Sequence, residues 1–180
     1  MTKKSLIAIF ITLVFAVGFL SIQLFSYPGG APAAKTGSPA DVKTCLACHS
    51  ATLKTKEGMI TSNATDNKYV PGEVYTITAT ASGSAGTSRI GFEISPQNPS
   101  GKLLGELILT NSNETKLLSK GKYITHTNQG SLASGGKKSW SFKWKAPTAG
   151  TGDVTFYGCF LVSESSQLVF TSQLVLKEKK

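Results

Sequence analysis

The sequence contains few of the residues that most enzyme active sites require. Only two histidines and ten acidic residues occur among its 180 residues, and the carboxylates are dispersed along the chain. It has no Gly-x-Ser-x-Gly elbow, no His-Glu-x-x-His pair and no glycine-rich phosphate loop. Those are the patterns of serine hydrolases, zinc proteases and nucleotide-binding enzymes. We therefore expect that the protein is not an enzyme.

Arginine is almost absent as well, since Arg89 is the single arginine among 19 basic residues. The net charge of +9 comes from lysines, which are scattered in pairs and are not gathered with aromatic residues. Nucleic-acid-binding proteins typically carry a basic stripe or a recognisable motif, so nucleic acid is not an expected partner. The lysines predict a solubilising surface. The alternative is a weak attraction to anionic lipid headgroups or to an acidic redox partner.

Charged residues are also missing from Leu6 to Phe25, a nearly unbroken apolar run of 20 residues that follows Lys3 and Lys4. A positive start before an apolar run is typical of an export signal, and 20 apolar residues can cross a bilayer as a helix. Residues 1–27 are therefore predicted to be either a signal peptide or an N-terminal membrane anchor. In both cases the rest of the chain is exported, to the periplasm or the extracellular space.

Beyond this run no segment shows a sustained helical period. The clearest pattern is Trp140-Ser-Phe-Lys-Trp144, in which the alternation is typical of a strand with one buried and one solvent-facing side. Short segments of this kind, separated by glycine, proline and serine turns, predict an all-β chain with an antiparallel β-sandwich over residues 69–180. The expected strands are 74–80, 90–95, 103–110, 123–127, 140–144, 154–162 and 167–176, and the expected core residues are Tyr75, Ile77, Phe92, Ile94, Trp140, Phe142, Trp144, Val154, Phe156 and Phe160.

Cysteine is scarce too, with three residues, and two of them form the most informative motif of the chain. The segment from Cys45 to His49 reads Cys-Leu-Ala-Cys-His, the Cys-x-x-Cys-His pattern at which c-type haem is attached. The two thiols reach the two vinyl groups of the porphyrin, and the histidine after the second thiol ligates the iron. The motif predicts one covalent haem c bound by Cys45, Cys48 and His49. It lies within residues 28–68, a linker and haem-attachment segment.

Three other interpretations of this motif remain open. An exported protein can form a disulfide at these cysteines. A thioredoxin-like redox pair normally lies in a βαβ unit, and zinc normally requires a second pair of ligands; the sequence contains neither. Cys159 lies in an apolar strand segment and is expected to be a buried thiol. The competing interpretation, a disulfide from Cys159 to Cys45 or Cys48, would exclude haem attachment.

Few residues are available as a second axial ligand to the iron. His126 is the only other histidine, and it lies at the end of a predicted strand, where a rigid sheet can present it. Met59 lies only ten residues after His49. His126 is therefore the candidate second ligand, and the alternative is a structural histidine hydrogen-bonded near the strand end. Since residues 27–69 are too few to wrap a haem, we expect the haem to dock against the sandwich.

Several segments resemble the reelin-type (Reeler) domain family. Its bacterial branch, the choice-of-anchor V proteins, similarly carries Gly-Ala-Pro and Cys-x-x-Cys-His-Ser ahead of the sandwich, here Gly30–Pro32 and Cys45–Ser50. The resemblance covers about residues 29–162. It implies an immunoglobulin-like sandwich in an extracytoplasmic protein with no known enzymatic activity. The resembling segments are Tyr69-Val-Pro-Gly-Glu-Val-Tyr-Thr-Ile-Thr78, Arg89-Ile-Gly-Phe-Glu-Ile94, Tyr123-Ile-Thr-His-Thr127, Trp140-Ser-Phe-Lys-Trp-Lys-Ala-Pro147 and Gly150-Thr-Gly-Asp-Val-Thr-Phe-Tyr157.

The sequence thus predicts an extracytoplasmic c-type monohaem protein on a Reeler-like sandwich. Its expected role is electron transfer with a redox partner protein, and its expected membrane contact is the N-terminal helix. The alternative is a non-haem extracytoplasmic binding or adhesion module with a disulfide at its cysteines.

Overall fold

The computed structural model describes residues 27, 29–163 and 167–180, and it forms two β-sheets. Short 3-10 turns cover Cys45–Ala47, Thr65–Asn67 and Gln129–Ser131. The strands of these residues are β1 (Thr52–Thr55), β2 (Ile60–Ser62), β3 (Lys68–Tyr69), β4 (Val74–Ser82), β5 (Arg89–Gln97), β6 (Glu106–Ile108), β7 (Thr115–Leu118), β8 (Tyr123–His126), β9 (Lys137–Lys145), β10 (Val154–Ser163) and β11 (Leu168–Glu178).

The larger sheet has the strand order β1-β11-β10-β5-β8-β7, with β3 also paired to β11. The smaller sheet has the order β2-β4-β9-β6. The paired strands are antiparallel, except that β1 and β3 both run parallel to β11. The all-β prediction is confirmed, but the purely antiparallel arrangement is not.

The strands also begin earlier than the sequence pattern indicates. We predicted the first strand after residue 69, whereas β1 starts at Thr52. All four residues of β1 are exposed, because it lies at the edge of the sheet. A strand with two wet faces carries no alternation of apolar and polar residues, which is the signal that the prediction used.

The two sheets pack face to face through an aromatic core. Trp140 of β9 and Phe92 of β5 come from opposite sheets, and their ring centroids lie 4.4 Å apart. Trp144 contacts Phe156 edge to face at 5.1 Å. The expected core residues are buried, with the exception of the half-buried Tyr75. The alternation in β9 therefore predicted correctly which face of the smaller sheet is buried.

The N–H group of a buried indole ring also needs a hydrogen-bond acceptor. Trp140 Nε1 donates to the Gly130 carbonyl at 2.7 Å, and Trp144 Nε1 donates to the Leu104 carbonyl at 2.9 Å. The two tryptophans thus join β9 to loops outside the sheets as well as filling the core.

Residues 29–49, called the N-terminal segment below, lie across the outer face of the larger sheet. The Lys35 N–H donates to Glu93 Oε1 at 3.1 Å, and Ser38 Oγ donates to Gln97 Oε1 at 3.0 Å. Gly30 has φ +113°, and a Cβ there would lie 2.4 Å from the carbonyl oxygen of His126. Only glycine permits this approach. The Gly-Ala-Pro stretch therefore begins where the N-terminal segment meets β8.

Within the described residues, no helix is long and apolar enough to cross a membrane. The predicted signal peptide or anchor, Leu6 to Phe25, lies outside them.

Candidate functional site

The residues predicted to bind haem line one cavity of about 100 Å³. Its floor is the outer face of the larger sheet, and its other wall is the N-terminal segment. Cys45, Cys48 and His49 come from that segment, and His126 comes from the end of β8. Residues separated by more than 70 positions in the sequence are thus brought to one site. The apolar lining includes Ile90, Phe92, Leu161, Ala31 and Pro32, and the charged lining is Lys35 and Arg89.

A tight turn holds the cysteine motif. Thr44 Oγ1 accepts the Leu46 N–H at 3.2 Å and caps the 3-10 turn. The Cys45 carbonyl accepts the N–H groups of Cys48 at 3.2 Å and His49 at 3.0 Å. The side chain of Cys48 is exposed, and that of Cys45 is buried. The turn therefore holds one thiol against the sheet and leaves the other near solvent.

The buried thiol of Cys45 contacts the third cysteine. The Cys45 N–H donates to Cys159 Sγ at 3.3 Å, and both side chains pack with Val169. A hydrogen bond from its thiol to Cys159, together with burial, raises the pKa of Cys45. The same hydrogen bond lowers the pKa of Cys159. Cys159 is fully buried, as expected, but its sulfur also accepts the Cys45 N–H, so it is not simply a small apolar residue.

His49 is partly buried beside Gln167. Burial lowers its pKa below the ordinary histidine value, although a hydrogen bond with Gln167 opposes the shift. The imidazole is therefore neutral at neutral pH, and the neutral ring is the form that ligates metals.

His126 is more deeply buried, and burial lowers its pKa to about 4. Its ring lies over Gly91, where a Cβ would come within 2.5 Å of His126 Cε1. Any side chain at this position would displace the imidazole. A glycine inside a strand often marks a position that another group approaches closely. Gly91 was therefore the signal in the sequence for the position of the His126 ring.

Two hydrogen bonds are available to Nδ1 of His126. It lies 3.0 Å from the Phe92 nitrogen and 3.2 Å from the Phe92 oxygen. If Nδ1 accepts from the N–H, the proton is on Nε2; if it donates to the carbonyl, Nε2 keeps a free lone pair. Thr125 Oγ1 already donates to the same carbonyl at 2.6 Å. Only the second tautomer can ligate a metal through Nε2.

Sequence reasoning missed Glu93, which faces the N-terminal segment from β5 and is fully buried. Burial raises its pKa to about 7, against the hydrogen bond from the Lys35 N–H. Within the described residues, its second oxygen, Oε2, has no hydrogen-bond partner. Nearby, Tyr123 donates to Asp41 Oδ1 at 2.7 Å. The N-terminal segment thus covers a polar patch of the sheet, which an alternating pattern alone could not reveal.

The other residue considered as an iron ligand, Met59, is buried in the core between the sheets. In the described part of the chain, no three His, Cys, Asp or Glu side chains lie close enough together to hold a metal ion by themselves.

The residues that line the cavity suit the covalent attachment of haem c, but the cavity is smaller than a haem. Both cysteines and both histidines face it, and a haem iron needs only axial ligands from the protein. A volume of about 100 Å³ is nevertheless below the roughly 300–1,000 Å³ of small-molecule pockets. The cavity therefore cannot enclose a porphyrin as it stands, and Cys45 would have to leave Cys159 to form a thioether.

Residues 43–176 match the family model described as the Reeler domain. Among solved structures, the chain is similar to the Reelin-N domain of F-spondin, with 19% identity, a TM-score of 0.53, and coverage of 72% of this chain and 93% of that one. It is also similar to a fragment of the human F-spondin reeler domain, with 18% identity, a TM-score of 0.54, and coverage of 76% and 99%. At these identities the likeness shows the fold alone. No curated protein matches the chain by sequence.

Proposed function

This chain belongs to the Reeler domain family, and we propose that it uses the family's two-sheet fold as the scaffold for one covalently attached haem c. In this proposal it is an electron carrier and not an enzyme. The observation that carries the proposal is that Cys45, Cys48, His49 and His126 line one cavity. The haem, when bound, would supply one-electron transfer at its iron.

Each residue has a defined part in this proposal. Cys45 and Cys48 would hold the haem through two thioethers, and His49 would ligate its iron. His126 would be the second ligand through Nε2, in the tautomer whose Nδ1–H donates to the Phe92 carbonyl. Leu161 of the outer face, with Ala31 and Pro32 of the N-terminal segment, would cover one side of the ring and exclude water from it.

The proposal also includes the finer features that the sequence predicts. Export to the periplasm or extracellular space, an N-terminal signal peptide or anchoring helix, and a separate redox partner protein belong to it. So do an immunoglobulin-like strand arrangement and membership of the choice-of-anchor V branch. Gly30–Pro32 and the cysteine motif that begins at Cys45 support that branch, because they lie ahead of the sandwich as the resemblance implies.

We expect the protein to become pink when it is expressed with c-type cytochrome maturation factors. The colour should survive denaturing electrophoresis, and the intact mass should increase by one haem. Cys48→Ser should weaken or abolish attachment while the sandwich still folds, because Cys48 is exposed and contributes nothing to the core. Cys159→Ala is the matched control and should still bind haem. A colourless wild-type protein would overturn the proposal.

His126→Ala should leave the covalent haem in place but change the ligation of its iron. Loss of the second ligand predicts a shifted Soret band and a high-spin signal, and added imidazole should restore the low-spin spectrum. The variant also removes a hydrogen-bond partner of Phe92, so its unfolding must be measured in parallel. An unchanged spectrum together with a less stable fold would show that His126 is only structural.

One observation favours the second candidate function, a non-haem extracytoplasmic binding or adhesion module. Cys45 contacts Cys159 rather than projecting freely into the cavity. A protein in which this contact is permanent would have no thiol available at Cys45 for a thioether.

A further inference from the structure

The three cysteines differ in how deeply they are buried, and the haem proposal does not explain this difference. Cys48 is exposed, Cys45 is buried at the cavity wall, and Cys159 is fully buried behind it. We propose that Cys45 and Cys159 form a disulfide in molecules that carry no haem, and that Cys48 is the thiol through which an external oxidant introduces it. This inference goes beyond the haem proposal and does not depend on it.

The contact between Cys45 and Cys159 supports the disulfide. Cys159 Sγ lies 3.3 Å from the backbone nitrogen of Cys45, and both side chains pack with Val169. The Cys159 side chain is held in the middle of the larger sheet, where β10 pairs with both β5 and β11. The Cys45 backbone is held by its 3-10 turn. The Cys159 sulfur is therefore held against the Cys45 backbone, in one packed cluster with the Cys45 side chain, before any bond forms.

Access supports the role of Cys48. No thiol oxidoreductase can reach Cys159, which has no exposed surface. Cys48 is exposed, lines the same cavity as Cys45, and is separated from it by two residues. Cys-x-x-Cys spacing suits exchange between the two thiols. An oxidant therefore meets Cys48 first.

The exchange balances in three steps, with a protein disulfide or oxidised glutathione as the oxidant. The Cys48 thiolate attacks the oxidant and releases its first thiol, which leaves a mixed disulfide. Cys45 then attacks the Cys48 sulfur and releases the second thiol of the oxidant. Finally the Cys159 thiolate, which accepts the backbone N–H of Cys45, attacks the Cys45 sulfur, and Cys48 leaves as a thiol. Two electrons pass from Cys45 and Cys159 to the oxidant, whose disulfide becomes two thiols.

This disulfide would join residues 114 positions apart. It would fasten the N-terminal segment to the centre of the larger sheet. It would also occupy the sulfur that one thioether of haem c requires, so that each molecule can carry either the disulfide or the haem. Cys159 then competes with haem for Cys45.

The test uses the exported chain produced without maturation factors, then reduced and reoxidised with oxidised glutathione. Alkylation after denaturation, with peptide mass mapping, should find Cys48 modified and Cys45 linked to Cys159. Cys48→Ser should reach the same disulfide at least ten-fold more slowly. Cys159→Ala, which keeps a small apolar side chain at the buried position, should lose it. A stable Cys45–Cys48 bond in the wild type, three free thiols, or an unchanged rate in Cys48→Ser would each overturn the proposal.

The two proposals fail separately. A colourless protein with the mapped disulfide contradicts only the haem proposal. A haem protein whose reduced, haem-free form never links Cys45 to Cys159 contradicts only this one. Where both hold, Cys159→Ala should raise the fraction of molecules that carry haem, as measured by haem absorbance per polypeptide.

Discussion

Trp140→Ala is expected to lower the free energy of unfolding by about 3–5 kcal/mol, the range for deleting a fully buried aromatic side chain. Trp140 is 1% exposed and contacts Phe92 of the opposite sheet at 4.4 Å. Its removal leaves a cavity between the sheets and deprives the Gly130 carbonyl of its 2.7 Å donor. Urea unfolding of the protein and of the variant, followed by far-UV circular dichroism, measures the difference in unfolding free energy.

Two further variants make this result specific. Val175→Ala, on the exposed side of β11, should change stability by no more than about 0.5 kcal/mol, because Val175 is 41% exposed. Trp140→Phe should cost less than the alanine variant, since most of the ring contact with Phe92 is kept. If Trp140→Ala cost no more than Val175→Ala, the side chain would not be part of the core.

Glu93→Gln is expected to stabilise the protein above neutral pH and to have little effect below pH 4.5. The pKa of Glu93 is raised by burial from 4.5 to about 7 in the folded chain. The folded state therefore binds the proton more tightly than the unfolded state, and stability falls as the pH rises through this window. A shift of this size corresponds to roughly 3 kcal/mol between the two limits. Glutamine removes the charge but keeps an oxygen to accept the Lys35 N–H.

The measurement is the difference in unfolding free energy between wild type and Glu93→Gln at several pH values from 4 to 8. Taking the difference cancels the titration of the other groups. The control for the substitution itself is Glu106→Gln, since Glu106 lies exposed in β6. A difference for Glu93→Gln that does not change with pH would mean that the carboxyl stays ionised beneath the N-terminal segment throughout this range.

The central strands could be predicted because their side chains alternate. The alternation in β9 correctly predicted that Trp140, Phe142 and Trp144 are buried. Strands β1, β2, β3 and β7 were missed, because β1 is exposed along its whole length and the other three have only two to four residues. An alternating pattern can be recognised only in a longer strand with one buried face, and none of these four strands is of that kind. The parallel pairing of β1 with β11 is set by long-range packing and has no local signal.

The candidate site was predictable in its residue types and only partly in its arrangement. The spacing of the cysteine motif indicated attachment chemistry, and the scarcity of histidine pointed to His126. The contact between Cys45 and Cys159 could be anticipated only as one of two competing interpretations, because spacing does not say which thiols meet in space. Glu93 was missed because a glutamate in a strand normally faces water, and here the N-terminal segment covers it.

The parallel pairing of β1 with β11 has a mechanical consequence. Thr52 pairs with Leu168 and Thr55 with Thr171, so both strands run in the same direction along the edge of the larger sheet. A force that draws the chain before β1 away from the chain after β11 pulls the two strands along each other's length. The hydrogen bonds between them are then loaded together, in shear, instead of opening one after another as in a peeled hairpin. Lys68 and Tyr69, which pair with the far end of β11, add a second parallel contact under the same load, so this edge of the domain resists extension more than a hairpin of equal length.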